Sequence, residues 1–324
     1  MNIPVVGANT SGLGGSETQE QRISPKDPIT LAGKKALAVL FARLLRYEEK
    51  IHNDCEIEDI HQMRVSVRRM RSFFHNLDDV YDPSILNPLT EYLRRLGKEL
   101  GAVRDLDTFI LSLQKNRESI PGHFEKSLNI VITNVGRLRT DFLKKVRTEL
   151  GRSTYLDWKE AFGRFLNEHT EKEQQASPVQ VVLPTLLPTL LDSVMKYRKQ
   201  IPPAVPEVLH KLRIKCKNLR YLCELFQKTY DRRLREVIAD LVRIQDWLGV
   251  VQDNERDIRF LEKGIQPRKR ILPAKQQKDL TASIIPVLRK NELQAVSEFT
   301  EFWSRFSLDE NLFRIRWIFT NAIK

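Results

Sequence analysis

Two stretches of the chain concentrate side chains able to hold an anion: HQMRVSVRRMRSFFHNL, from His61 to Leu77, and HKLRIKCKNLRYLCELF, from His210 to Phe226. On a helix turning about 100° per residue, Arg64, Arg68 and Arg71 fall within about 80° of His61. His210, Arg213, Lys217 and Arg220 form the same stripe in the second stretch. Met63, Val67, Met70, Phe73, Phe74 and Leu77 gather opposite the first stripe, and Leu212, Cys216, Leu219, Leu222, Cys223 and Phe226 opposite the second, so each helix presents an apolar side to a core and a basic side away from it. No carboxylate occurs from His61 to Leu77 or from His210 to Cys223, although the chain carries 42 Asp and Glu. Solvated helix faces mix charge signs. Arginines three and four residues apart repel by about 0.2–0.5 kcal/mol per pair, a cost that an anionic guest would offset. The planar guanidinium fork matches phosphate oxygens bidentately, and hydrogen bonds to charged groups contribute about 1.5–3 kcal/mol each. From residue 61 to 71 the stripe runs about 15 Å at 1.5 Å per residue, which suits an extended polyphosphate better than a single phosphate group.

The elements that must position these residues are written twice. His61 and His210 lie 149 positions apart, and Tyr81–Asp82 returns at the same offset as Tyr230–Asp231. LGAVRDLD, from Leu100 to Asp107, returns as LGVVQDNE, from Leu248 to Glu255. From DPITLAGKKALAVLFARLLRYEEK onward, apolar residues recur at helical steps, with Asp27 as the expected N-cap and Pro28 at the first helical position. The spacing predicts an all-α protein: two pseudo-symmetric four-helix bundles from an internal duplication, their basic stripes facing each other across a central cavity. Residues 1–26 read as a disordered Gly- and Ser-rich arm, 27–176 as the first half and 177–324 as the second. SPVQVVLP and IPPAVPE read as a join and a loop, QPRKRILP as a basic loop, and Gly101 and Gly249 as sites of close helix packing.

Composition narrows the function. Lys and Arg number 54 against 42 Asp and Glu, a formal charge of +12, which favours a polyanionic partner. No apolar run reaches the roughly 18 residues of a membrane span, and Met1 to Gln21 lacks the form of a leader. Three cysteines without CxxC spacing argue against a disulfide framework or zinc cage and fit a cytoplasmic protein, with Cys216 and Cys223 as small core residues. Trp158, Trp247, Trp303 and Trp317 read as core anchors. No HExxH-type histidine spacing, phosphate-binding loop or nucleophile elbow occurs, so no cofactor or metal is expected; joint metal binding by His61 and His210 is the less favoured reading.

His61 with MRVSVRRMR, His210 with LRIKCKNLRY, and LGAVRD with LGVVQD together resemble the CHAD domain, the conserved histidine α-helical domain, over about residues 28 to 324. The resemblance implies two four-helix bundles around a basic cavity, binding of inorganic polyphosphate without catalysis and, in bacteria, association with polyphosphate granules. Carried over by position, the ligand-facing set is His61, Arg64, Arg68, Arg69, Arg71, His210, Arg213, Lys217 and Arg220, with Asn218 standing where the first copy has Arg69. Lys98 and Arg104 join it as candidate border residues, a solvated role being the alternative, and Asp105 and Asp253 are expected to orient basic side chains. Two readings compete. One is RNA or DNA binding, for which the stripes lack exposed stacking aromatics; the other is phosphoryl transfer or hydrolysis with His61 or His210 as nucleophile, for which they lack an acid.

Overall fold

The computed structural model describes residues 22–202, 204–264 and 274–324. Residues 1–21 of the expected arm and the whole of the QPRKRILP loop lie outside the described residues. Among the described residues the regular structure is helical, apart from two isolated antiparallel bridges. The order is α1 (Ile29–Asn53), α2 (Ile57–Asn76), α3 (Pro83–Lys115), α4 (Glu125–Leu150), α5 (Ser153–Asn167), the single turn α6 (Glu171–Gln174), α7 (Val179–Met195), α8 (Pro206–Leu225), α9 (Arg233–Lys263), α10 (Ala274–Phe306) and α11 (Asp309–Asn321). The all-α expectation holds. Among the described residues, five main helices, α1–α5, fall within 27–176 and five, α7–α11, within 177–324, where the periodicity predicts about four in each; α3 and α10 are the longest, at 33 residues each.

The repeated sequence landmarks are the joints between these helices. Tyr81 and Tyr230 are buried, and their hydroxyls donate to the carbonyls of Thr30 at 2.8 Å and Phe319 at 3.0 Å. The following carboxylate sits at a helix start in both copies: Asp82, the N-cap of α3, accepts from the Ser84 amide, and Asp231, one residue before the N-cap of α9, accepts from the Arg233 amide, each at 2.8 Å. A short carboxylate that takes an otherwise unpaired amide at the N-terminus fixes where the helix begins. At α2 the same task falls to a capping box, in which Asp59 accepts from the Glu56 amide at 2.9 Å and Glu56 accepts from that of Asp59.

Two starts differ from expectation. Pro28 is the N-cap of α1, and Asp27 accepts instead from the Ser24 amide and Lys35, at 2.9 and 2.8 Å. SPVQVVLP is not a join: from Val179 it forms α7, with Pro184 and Pro188 inside the helix. Each proline removes one backbone donor, but Leu183, Leu187, Leu191 and Val194 recur along one side and are fully buried, and that burial outweighs the lost hydrogen bonds. The starts of α1 and α7 clasp each other, Ile29 donating to Ser177 at 3.0 Å and Val179 to Asp27 at 2.9 Å.

The apolar interior is shared between the halves. One cluster runs from Ile29 and Leu37 of α1 through Phe73 and Phe74 of α2 to Leu219 of α8 and Phe319 of α11. A second joins Leu106, Phe109 and Val131 of α3 and α4 to Ile258, Leu261 and Ile284 of α9 and α10. Trp158 and Trp303 are buried anchors as expected, but Trp317 is 40% exposed on α11 beneath the Arg233 guanidinium, 4.4 Å from its ring centroid. Trp247 is partly buried and donates to Glu298 at 2.8 Å. No helix among the described residues is long and apolar enough to cross a membrane.

Leu187→Ala is expected to cost about 2–5 kcal/mol and to lower the stability of both halves together. Urea unfolding followed by helical circular dichroism and by tryptophan fluorescence should give one shared transition; two separate transitions would show that the halves fold on independent cores.

Candidate anion-binding site

Helices α2 and α8 cross in direct contact. Ser72 donates to Asn218 at 3.1 Å, and Asn76 donates to the Asn218 carbonyl at 3.4 Å. The same crossing packs Arg69 against Tyr221, 5.6 Å from the ring centroid. Residues 69 and 218 are equivalent in the two copies, as are 72 and 221, so these contacts are reciprocal. With α3 and α9 behind them, the two helices enclose a cavity of about 360 Å³. Its front wall is His61, Arg64 and Arg68 of α2 and His210, Arg213 and Lys217 of α8; its back wall includes Arg104 and Asp105 of α3 and Asp253, Arg256 and Arg259 of α9. Two larger hollows, of about 730 Å³ against α4 and 770 Å³ against α11, gather fewer Lys and Arg side chains, two and four against the seven of this cavity. Charge, and not size, singles out the cavity between the halves.

Seven of the sequence-predicted residues meet there: His61, Arg64, Arg68, Arg104, His210, Arg213 and Lys217. Four do not line it. Arg69 and Arg220 turn to the Glu224 carboxylate, at 2.7 and 3.6 Å, and crowd the buried ring of Tyr221 together with Arg68. The acid-free stretch of α8 ends at Cys223, and the next residue supplies this counter-charge. Arg71 is exposed, two turns beyond Arg64 and about 10 Å further along the axis. The helical wheel records its angle and not this distance. Lys98 is exposed on α3. Sequence reasoning missed Arg256 and Arg259. In the register that aligns LGAVRD with LGVVQD, Gln252 replaces Arg104 while Arg256 replaces Thr108, so a cation lost at one position returns one turn later.

Glycine makes room for the arginines. A Cβ at Gly101 would lie 3.6 Å from Nε of Arg64, and one at Gly249 would lie 3.5 Å from Nη2 of Arg213. Both glycines admit a flat guanidinium across the helix, a role different from the helix-on-helix packing expected of them. The Nε–H groups of Arg64, Arg68 and Arg213 are buried with no hydrogen-bond partner among the described residues. A buried donor left unmade costs about 1–3 kcal/mol, more when charged.

The electrostatics follow from this crowding. Burial, then Arg213, Arg68, Arg64 and Arg220, push the Lys217 ammonium down to about 6. Burial and then Arg104 hold His61 below the usual imidazole range. Two acids of the back wall are occupied: Arg256 meets Asp253 at 2.8 Å and Asp105 at 3.7 Å, and it also meets Asp257 at 2.8 Å. Burial works against the Arg256 charge, but these carboxylates outweigh it and raise its pKa. The expected orienting role of Asp105 and Asp253 therefore falls on Arg256, a residue of the second copy. Gln252 accepts from Arg213 at 3.0 Å and contacts Nδ1 of His210 through its amide nitrogen. Cys216 and Cys223 are fully buried core residues.

Residues 35–262 match the CHAD domain family. The chain belongs to the CHAD domain family. Among solved structures it is similar to the CHAD domain from the plant Ricinus communis, with a TM-score of 0.72 and 20% identity over 90% of this chain and 97% of that one. It is also similar to PptA from Streptomyces chartreusis, with a TM-score of 0.62 and 16% identity over 86% of this chain and all of that one, 100%. At these identities the likeness speaks for the fold. A search of curated proteins returns no match. In this CHAD domain both histidine-led basic stretches, on α2 and α8, supply one wall of one cavity.

Lys217 sets a sign for stability. Between about pH 6 and the ordinary lysine range, the unfolded chain carries a proton that the folded side chain lacks. Lys217 therefore subtracts stability at neutral pH, and less as pH rises through that window. Thermal melts from pH 6.5 to 9 should show Lys217→Met melting above the wild type at pH 7, with a shallower rise toward alkaline pH. In parallel, Gly101→Leu should place a side chain where the Arg64 guanidinium lies, keep the helical circular dichroism, and weaken retention on a polyanionic resin severalfold.

Proposed function

We propose that this CHAD domain binds inorganic polyphosphate, without catalysing its turnover, in the cavity between α2, α3, α8 and α9. The observation that carries the reading is the set of cations without a counter-charge on the front wall: Arg64, Arg68, Arg213 and Lys217 have no carboxylate within salt-bridge distance among the described residues, and three of them bury an unpartnered Nε–H. A ligand that supplies many phosphoryl oxygens closely spaced along one chain relieves both the missing hydrogen bonds and the mutual repulsion. His61, His210 and Arg104 add donors beside them.

Nucleic acid is the second reading, and the lining argues against it. Single-strand binding draws on aromatic platforms, and the cavity is lined by no Phe, Tyr or Trp among the described residues; Tyr221 is buried behind the arginines. For phosphoryl transfer, a histidine nucleophile needs an acid or metal to carry the leaving group. The carboxylates nearest the basic wall, Asp105 and Asp253, are engaged by Arg256. Association with polyphosphate granules in a cytoplasm belongs to the same proposal, and imaging of the tagged protein in cells unable to make polyphosphate tests it.

Replacing Arg64, Arg68, Arg213 and Lys217 together with Ala should reduce affinity for long-chain polyphosphate by at least about 100-fold, if each lost contact costs about 1.5 kcal/mol or more and part of that is non-additive. Helical circular dichroism should persist. Wild-type affinity should fall steeply with salt, as for other polyanions that release counterions. Displacement of polyphosphate by single-stranded nucleic acid at equal charge concentration would favour the second reading, and steady orthophosphate release that is lost in His61→Ala would establish the third.

A further inference from the structure

The two copies differ at one position of the basic wall. Arg68 of α2 corresponds to Lys217 of α8, and Lys217 is the one lysine that lines the cavity among the described residues. An arginine keeps its charge at any physiological pH, whereas a buried lysine gives up its proton readily. The duplication has thus placed one titratable cation among fixed ones.

We propose that anion binding is proton-coupled through Lys217, whose amine stands neutral beside the arginines and takes up a proton from bulk water as the anion arrives. The inference deepens the polyphosphate reading and rests on it. Its basis is positional. Lys217 has no hydrogen-bond acceptor and no ion-pair partner among the described residues, and it lies between Arg213 and Arg220 of its own helix. Across from it stand Arg64 and Arg68 of α2. The back wall brings Arg104 and Asp105 of α3, and Asp253, Glu255, Arg256 and Arg259 of α9. Asp105 and Asp253 are drawn to Arg256 and also act on Arg64 and Arg213, but no carboxylate forms an ion pair with Lys217 among the described residues. His61 and His210 complete the lining. A further positive charge at Lys217 would be repelled from every side that α2 and α8 present.

Burial and the four arginines around it hold the ammonium down to about 6, so near pH 7.5 the nitrogen keeps a lone pair. Phosphoryl oxygens against Arg64, Arg68 and Arg213 reverse the local potential and offer the missing acceptors. Protonation of Nζ then becomes favourable: one N–H bond forms, the proton comes from water or buffer, and nothing is oxidised or reduced. His61, held low by burial and Arg104, shares the linkage at lower pH. Affinity should therefore fall as pH rises, by up to about tenfold per pH unit where one full proton is taken up.

Two measurements on the full chain test this. Calorimetric titration with long-chain polyphosphate, whose internal phosphoryl groups stay ionised, is run at pH 7.5 in two buffers of different ionisation enthalpy. Wild type should take up close to one proton per site. Lys217→Arg, checked for folding by circular dichroism, should lose that uptake and bind more tightly than wild type at pH 8, its charge being fixed. Lys98→Arg, outside the cavity, should keep the uptake. Separately, nuclear magnetic resonance of lysine labelled at the ε carbon, with Lys217→Arg to assign the signal, should find Lys217 titrating several pH units below the other lysines in the ligand-free protein. Polyphosphate binding with equal proton uptake in wild type and Lys217→Arg, or a Lys217 signal that titrates with the bulk lysines, overturns the coupling and leaves the polyphosphate reading standing. No polyphosphate binding at any pH overturns the functional reading and the coupling with it.

Discussion

Mutual repulsion among guanidinium groups at the crossing of α2 and α8 is the constraint around which the rest of the molecule is arranged. Two unit charges 4 Å apart repel by about 4 kcal/mol at an effective dielectric of 20, and here several are held by helices whose opposite sides are locked in a core. The protein divides them into two layers. Behind, Arg69 and Arg220 are compensated by Glu224 and by the ring of Tyr221. In front, Arg64, Arg68, Arg213 and Lys217 have no carboxylate partner among the described residues. A merely structural crossing would have been served by one more glutamate; leaving the front layer uncompensated makes sense for a wall that meets an anion.

The fold carries this burden by tying both layers to one interior. Met63, Val67 and Met70 beneath the first stripe and Leu212, Cys216 and Leu219 beneath the second belong to the same apolar cluster. Neither helix can rotate its charges outward without pulling buried side chains into water, at about 25 cal/mol for each Å² exposed. The glycines of α3 and α9 complete the arrangement by letting Arg64 and Arg213 lie flat against the back wall.

Much of this was legible because duplication makes a pattern testable against itself. The helical period, the acid-free basic stripes and the paired Tyr–Asp joints each appear twice, and all proved to be real features of the fold. What stayed hidden lies in the third dimension. Glu224 is one residue past the acid-free stretch, yet it neutralises Arg69 on the other helix. Arg71 shares the angle of the stripe but not its depth. Arg256 escaped because the copies trade cations between positions one turn apart, which a search for identical residues passes over. The prolines of α7 read as breakers, since local propensity records what a helix loses and not what four buried aliphatic side chains return to it.

The continuity of the interior across the two halves has a kinetic consequence. A receptor built from two separately cored lobes can part like jaws and shut on its guest, but here such a motion would tear Leu and Phe packing that spans the seam. Entry is left to the mouth of the cleft. For the polymer proposed as its ligand, this would mean threading from a loose end or an accessible bend, so capture would depend on how many such ends a tangled chain displays and not only on how much of the chain is present.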